Sequence, residues 1–190
     1  MRHLLRNQII ESWTAAIETD YQRQRINSER SLQASLWSQL NRRLHHRTRR
    51  MFIEPAIKVM TSLGPKTLYP DLVVCNSNKV IAVIELKYEP RKRPTYHKDI
   101  ETLRLIASQR EAVAISNNRY RGKETDSTEY GLARETMFVW AGIHRQQIPG
   151  PGEDAALRFN AGIPELKSCF LELHAVTRVG QDPSIHCHRG

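Results

Sequence analysis

The chain has 190 residues, with 29 Lys and Arg against 20 Asp and Glu, a formal charge of +9 when its eight histidines are neutral. That length is one domain's and, at 39% hydrophobic and 26% charged, the chain can bury a core without disulfide or metal staples, so a globular protein rather than a low-complexity chain is expected. The positive surplus favours polyanions or anionic membrane surfaces by long-range attraction and says nothing of fold.

In chain order, Leu5, Ile9, Ile10, Trp13, Ala16 and Ile17 recur at helical spacing and predict an amphipathic helix to about Tyr21. A second helix starts near Asn27 or Ser28, either of which can cap it. It carries Leu32, Leu36, Trp37, Leu40 and Leu44, and ends in His45-His46-Arg47-Thr48-Arg49-Arg50. Strands are predicted at Phe52–Val59, Tyr69–Cys75 and Lys79–Tyr88, separated by Gly64-Pro65 and Asn76-Ser77-Asn78. The last of these sets Val80, Ala82, Ile84 and Leu86 against Ile81 and Val83, apolar on both faces, as a strand in mid-sheet requires. After Arg91-Lys92-Arg93-Pro94 come a helix over Tyr96–Ala107, a buried strand at Ala112–Ser116 and a polar loop over Asn117–Glu135. Further strands are expected at Met137–Ile143 and Phe170–Val179, with a break at Ile148–Gly152. The domain is thus expected to span 1–180, with 181–190 as a flexible tail.

Three scattered cysteines, Cys75, Cys169 and Cys187, form neither a disulfide framework nor a zinc ligand set, so a reducing compartment is expected. Charged and amide residues interrupt the N-terminal apolar positions before a signal core forms, and no run approaches the ~20 apolar residues of a membrane span. The expectation is a cytoplasmic protein without a membrane partner. Glu11, Glu18 and Asp20 on the polar face of the first helix also disfavour binding to an anionic membrane surface.

The chemistry-bearing residues are Pro70-Asp71 and Glu85-Leu86-Lys87, on consecutive strands of an expected hairpin. Glu85 and Lys87, two apart on one strand, share a face. With a three-residue loop at Asn76–Asn78, Asp71 sits opposite Val83 and is the diagonal neighbour of Glu85, roughly 5–8 Å away. A two-residue loop puts the acids on opposite faces unless a bulge restores the register. Two carboxylates and an ammonium on one patch suit phosphodiester cleavage. Mg²⁺ takes one or two protein carboxylates and keeps water and phosphate oxygens as its other ligands, and it lowers the pKa of bound water. The alternative is a solvated ion-pair cluster, which the apolar surroundings of Glu85 disfavour.

Pro70-Asp71, a gap of thirteen residues and Glu85-Leu86-Lys87 together resemble the PD-(D/E)XK nuclease superfamily, which includes restriction endonucleases and Holliday-junction resolvases. The order of elements over about 27–116 is similar to that superfamily's core of helix, three strands, helix and strand. The resemblance implies an α/β fold with a mixed central sheet, to which this chain adds an N-terminal helix and C-terminal strands. It also implies that Asp71 and Glu85 bind a catalytic Mg²⁺ or Mn²⁺ with the Leu86 carbonyl, that Lys87 is the catalytic lysine, and that Glu29 is the acid contributed by the preceding helix. An acid in a first helical turn is equally explained by the helix dipole.

Arg91, Lys92 and Arg93 follow Lys87 closely enough to rim the site and hold flanking phosphates, and Lys98 can face the same groove. Arg47, Arg49 and Arg50 are better explained as helix-terminal cations. His186, Cys187 and His188 are assigned to the tail, and Trp13, Trp37 and Trp140 to the core. Two functions follow: a metal-dependent nuclease acting on nucleic acid, with DNA the expected substrate, or a non-catalytic binding module within a larger complex. A monomer carries one site, so cutting both strands needs a homodimer or two encounters.

Overall fold

The computed structural model describes residues 2–44, 47–110, 114–121, 124–145 and 163–189. Helix α1 (Arg2–Ala15) runs into a π-helical turn (Ala16–Tyr21), and α2 (Glu29–Arg43) follows. Ser28 caps α2: its hydroxyl accepts from the Ser31 amide at 3.2 Å, and the Ser31 hydroxyl accepts from the Ser28 amide at 2.9 Å. Leu5, Ile9, Trp13 and Ile17 of the first helical segment and Leu32, Leu36 and Leu40 of α2 turn one stripe inward, onto Leu72, Val74, Ile84, Leu86 and Val139 of the sheet. Each such side chain stabilises the fold by about 1.5–3 kcal/mol when fully buried, which fixes both helices to this face.

The strands are β1 (Arg49–Ile53), β2 (Ile57–Thr61), β3 (Gly64–Leu68), β4 (Leu72–Asn76), β5 (Lys79–Glu89), β6 (Ala114–Arg121), β7 (Glu124–His144), β8 (Phe170–Arg178) and β9 (Gln181–Arg189), with α3 (His97–Ser108) between β5 and β6. The main sheet runs β1-β4-β5-β7-β8-β9, with β6 hung on β7, while β2 and β3 form a separate hairpin. β1, β4 and β5 are antiparallel, β5, β7 and β8 parallel, and β9 antiparallel to β8. The protein is a mixed α/β fold with a mixed central sheet, N-terminal helices and additional C-terminal strands. On the face opposite α1 and α2, Ile100, Leu103 and Ile106 of α3 pack on Val73, Val83, Phe138 and Trp140.

The expected order of helix, three strands, helix and strand is present as α2, β1, β4, β5, α3 and β7, with corrections. The span Phe52–Val59 is not one strand: Glu54 takes φ +47° and Pro55 follows, so β1 ends at Ile53 and Ile57 opens the β2–β3 hairpin. The strand beside β5 is β7, and the strand that starts at Ala114 is the outer arm β6. Residues 117–121 and 124–131 are not a loop but hairpin arms, held by main-chain pairing that makes no demand for apolar side chains, and 132–135 continue β7. Arg49 and Arg50 begin β1 rather than ending α2.

The expected tail is strand β9, paired with β8 from Arg178↔Gln181 to Leu171↔Arg189. Val179 and Gly180 make its two-residue turn, and Gly180, at the second central position, takes φ +72°, which glycine adopts at no steric cost. His45, His46, 112–113, Lys123 and 148–152 lie outside the described residues. Among the described residues no helix is long and apolar enough to cross a membrane, and all three cysteines are free.

Candidate active site

Asn76 pairs with Lys79, so the β4–β5 loop has two residues, Ser77 and Asn78, and Ser77 takes φ +53°. The three-residue loop of the sequence reading is thus replaced by its alternative. Uncorrected, that loop separates the acids. The register shifts after Cys75↔Val80, however, and resumes as Val74↔Ala82, Val73↔Val83 and Leu72↔Ile84, with Ile81 as the extra residue. Continued by one pair, it sets Asp71 across from Glu85, nearer than the diagonal placement expected. The bulge also moves Val80 to the face of Val83, away from Ala82, Ile84 and Leu86 with which strict alternation grouped it.

Asp71 is fixed on both its backbone and its side chain. Its carbonyl accepts from Gln33 Nε2 at 2.9 Å and from the Glu54 amide at 3.1 Å, and its Oδ2 accepts from the Leu86 amide at 2.6 Å. Burial pushes its pKa up to about 6, against the pull of the Leu86 N–H, and Glu29 adds to the rise. Glu85 is 7% exposed. Its pKa rises well above the ordinary carboxylate range through burial first, then through the negative charges of Asp71 and Asp99. Leu86, the third expected ligand, lies between Glu85 and Lys87 in register with Ala141.

The Lys87 ammonium points to Asp99 Oδ2 at 3.4 Å and Glu29 Oε2 at 3.7 Å. Burial lowers its pKa, but the attraction of Asp99 and Glu29 outweighs this and the net shift is upward, so it is held protonated. Asp99 Oδ2 also accepts from Trp140 Nε1 at 3.2 Å, and burial raises its pKa against the pull of Lys87. Glu29 stands at the site, where its Oε2 also accepts from the Tyr88 amide at 3.3 Å.

Asp99 and Gln33 escaped the sequence reading. Asp99 opens a helix, where an acid is ordinary, and the reading singled out its neighbour Lys98. Gln33 lies one helical turn after Glu29 on the same face, a spacing that signals a shared direction.

Among the described residues, no three His, Cys, Asp or Glu side chains are gathered as a metal cage. Asp71 and Glu85 instead bring two carboxylates together across one strand pair. Their proton affinities are raised, and the nearest cation, Lys87, is engaged by Asp99 and Glu29. Such a pair fits a hard divalent ion that keeps most of its own water.

No protein-family model matches the chain, and no curated protein matches it. Among solved structures, the cAAA-bound form of NucC from P. aeruginosa ATCC27853 is similar at 14% identity and a TM-score of 0.41, over 97% of this chain and 81% of that one. At that distance the likeness transfers no function.

The loop after β5 is organised by Glu89, which accepts from the Thr95 amide at 2.6 Å and pairs with Lys92 at 3.2 Å. Arg91, Lys92, Arg93 and Lys98 are all exposed, and Lys92 makes its surface ion pair to Glu89. Arg91 and Arg93 lie on the loop that leaves the C-terminal end of β5, and Lys98 precedes Asp99 in the first turn of α3.

Proposed function

We propose that the protein is a metal-dependent nuclease that hydrolyses phosphodiester bonds, with DNA the expected substrate. The observation that carries this reading is the bulge at Ile81, which sets Asp71 across from Glu85 while Lys87 stays on the Glu85 face. A bulge that re-aims a side chain commonly adjoins an active site.

In this mechanism Asp71 and Glu85 would hold Mg²⁺ or Mn²⁺, with the Leu86 carbonyl as a further ligand. The ion supplies an activated water and neutralises phosphate charge. Gln33 and the Leu86 amide keep the Asp71 carboxylate aimed. Lys87, kept protonated by Asp99 and Glu29, offers a fixed positive charge to the phosphate oxygens as negative charge accumulates there. Arg91, Arg93 and Lys98 hold the flanking backbone. One site cuts one strand, so two-strand cleavage requires a homodimer or two encounters.

The test is strand cleavage with Mg²⁺ or Mn²⁺ by the wild type and by the Asp71→Ala, Glu85→Ala and Lys87→Ala proteins. Activity is expected only in the wild type. A wild type that binds nucleic acid equally well in chelator and cuts none would establish the binding-module reading instead.

A further inference from the structure

Beyond the Arg91–Arg93 loop, the same end of the sheet carries a second basic feature. Because β5, β7 and β8 are parallel, their C-terminal ends lie side by side. A cleft of about 300 Å³ opens there, lined by Arg145, Val176, Thr177, Arg178 and Val179. Arg145 and Arg178 are exposed, and neither has an ion-pair partner among the described residues. Unpaired guanidinium groups over a cleft offer forked donors that match the geometry of a phosphodiester.

The cleft is joined rigidly to the loop that leaves the catalytic strand. The Arg145 amide donates to the Lys92 carbonyl at 3.1 Å, and the Thr177 hydroxyl bridges the His144 carbonyl, at 3.2 Å, and the Pro90 carbonyl. These bonds tie the ends of β7 and β8 to the segment containing Arg91 and Arg93. They set Arg145 and Arg178 beside that segment, where a strand held at Arg91 and Arg93 would reach them.

The register gives the reach. Lys87 lies level with Gly142 and His174. With strands about 4.8 Å apart and about 3.3 Å per residue, the Cα of Arg145 is about 11 Å from that of Lys87, and the Cα of Arg178 about 16 Å. At 3.4 Å per base step of duplex, these spans correspond to three to five steps from a phosphate held level with Lys87.

We infer that the Arg145–Arg178 cleft is a remote phosphodiester-backbone subsite, which grips the nucleic-acid arm on one side of the cut. The inference rests on the proposed nuclease reading, of which it specifies the substrate path.

The test uses Arg145→Gln, Arg178→Gln and the double variant. Binding to a fluorescent 30-base-pair DNA duplex is measured across a salt series, with Mg²⁺, in a Lys87→Ala background that leaves the strand uncut. Both sites are exposed, and equal melting temperatures confirm intact folds. Each substitution is expected to reduce the slope of log affinity against log salt by about 1. In the active protein, cleavage at saturating substrate is expected to be unchanged while KM rises.

A nested set of duplexes adds a readout that overall charge would not move: the loss disappears once the arm on one side is shorter than about three base pairs. Equal slopes in variant and parent, or a loss independent of arm length, overturn the subsite while leaving the nuclease reading in place. No binding and no cleavage by the wild type overturns both.

Discussion

Asp99 Oδ2 lies 3.4 Å from the Lys87 ammonium and 3.2 Å from Trp140 Nε1, so one carboxylate oxygen joins the first turn of α3 to two strands of the sheet. In the proposed mechanism it aims the lysine. Asp99→Asn is expected to lower kcat roughly 10- to 100-fold, the scale of a misplaced catalytic group, with little change in KM. Trp140→Phe, which keeps the ring and removes the N–H, is expected to lower kcat in the same direction by less. Cleavage kinetics check both, and a rise in KM at constant kcat would assign Asp99 to substrate binding.

Half-buried Asp71 and buried Glu85 lie across from one another with raised proton affinities, a state that a bound cation would relieve. If the pair binds Mg²⁺ as proposed, the ion at 100 times its dissociation constant would add about 2.7 kcal/mol of stability. For a chain of 190 residues that is a rise in Tm of roughly 5–10 °C. Glu85→Gln is expected to abolish this rise while melting no lower than the wild type without metal, since it removes a carboxyl whose ionisation burial and the neighbouring acids disfavour. Calorimetric melts with and without Mg²⁺ check both statements.

Much of this was legible because strand and helix periodicity reports directly on burial. Leu32, Leu36 and Leu40, and Ile100, Leu103 and Ile106, face the core as their spacing requires. The site was legible as residue types at a spacing, but the geometry depended on one extra residue at Ile81. Hydrophobic pattern does not reveal such a bulge, because the bulged residue is as apolar as its neighbours. β6 and β9 were missed for a different reason: their support is main-chain pairing, which polar sequences such as Gln181–Arg189 form as well as apolar ones.

The pairing of β9 has a direct consequence. Truncation after Val179 would strip the edge of β8 and uncover Glu172 and His174, which are 2% and 3% exposed. Tm is expected to fall by more than about 5 °C, with increased aggregation. A flexible tail would leave it unchanged.

The same region sets an acid limit on folding. His144 and His174 are hydrogen-bonded at 3.0 Å, with Glu172 at 3.4 Å from His174, and with Glu89, His186 and His188 nearby. Burial first, then neighbouring histidines, lowers the pKa of His144 to about 4 and of His174 to about 3. The folded state therefore resists protonation that the unfolded chain accepts near 6.5. The stability contribution is complete above that pH and is lost as pH falls toward 4. Melts at pH 7.5 and 5 are expected to show a smaller difference in Tm for His174→Gln than for the wild type.

The central claim, that Asp71, Glu85 and Lys87 form a metal-dependent phosphodiesterase site, is tested most directly by one assay. Supercoiled and single-stranded DNA are incubated with Mg²⁺, with Mn²⁺ or with chelator, in the presence of wild-type or Lys87→Ala protein. The expected result is strand cleavage by the wild type in either metal, none in chelator, and at least a 100-fold lower rate for Lys87→Ala. Equal cleavage by the two proteins, or cleavage that persists in chelator, would contradict it.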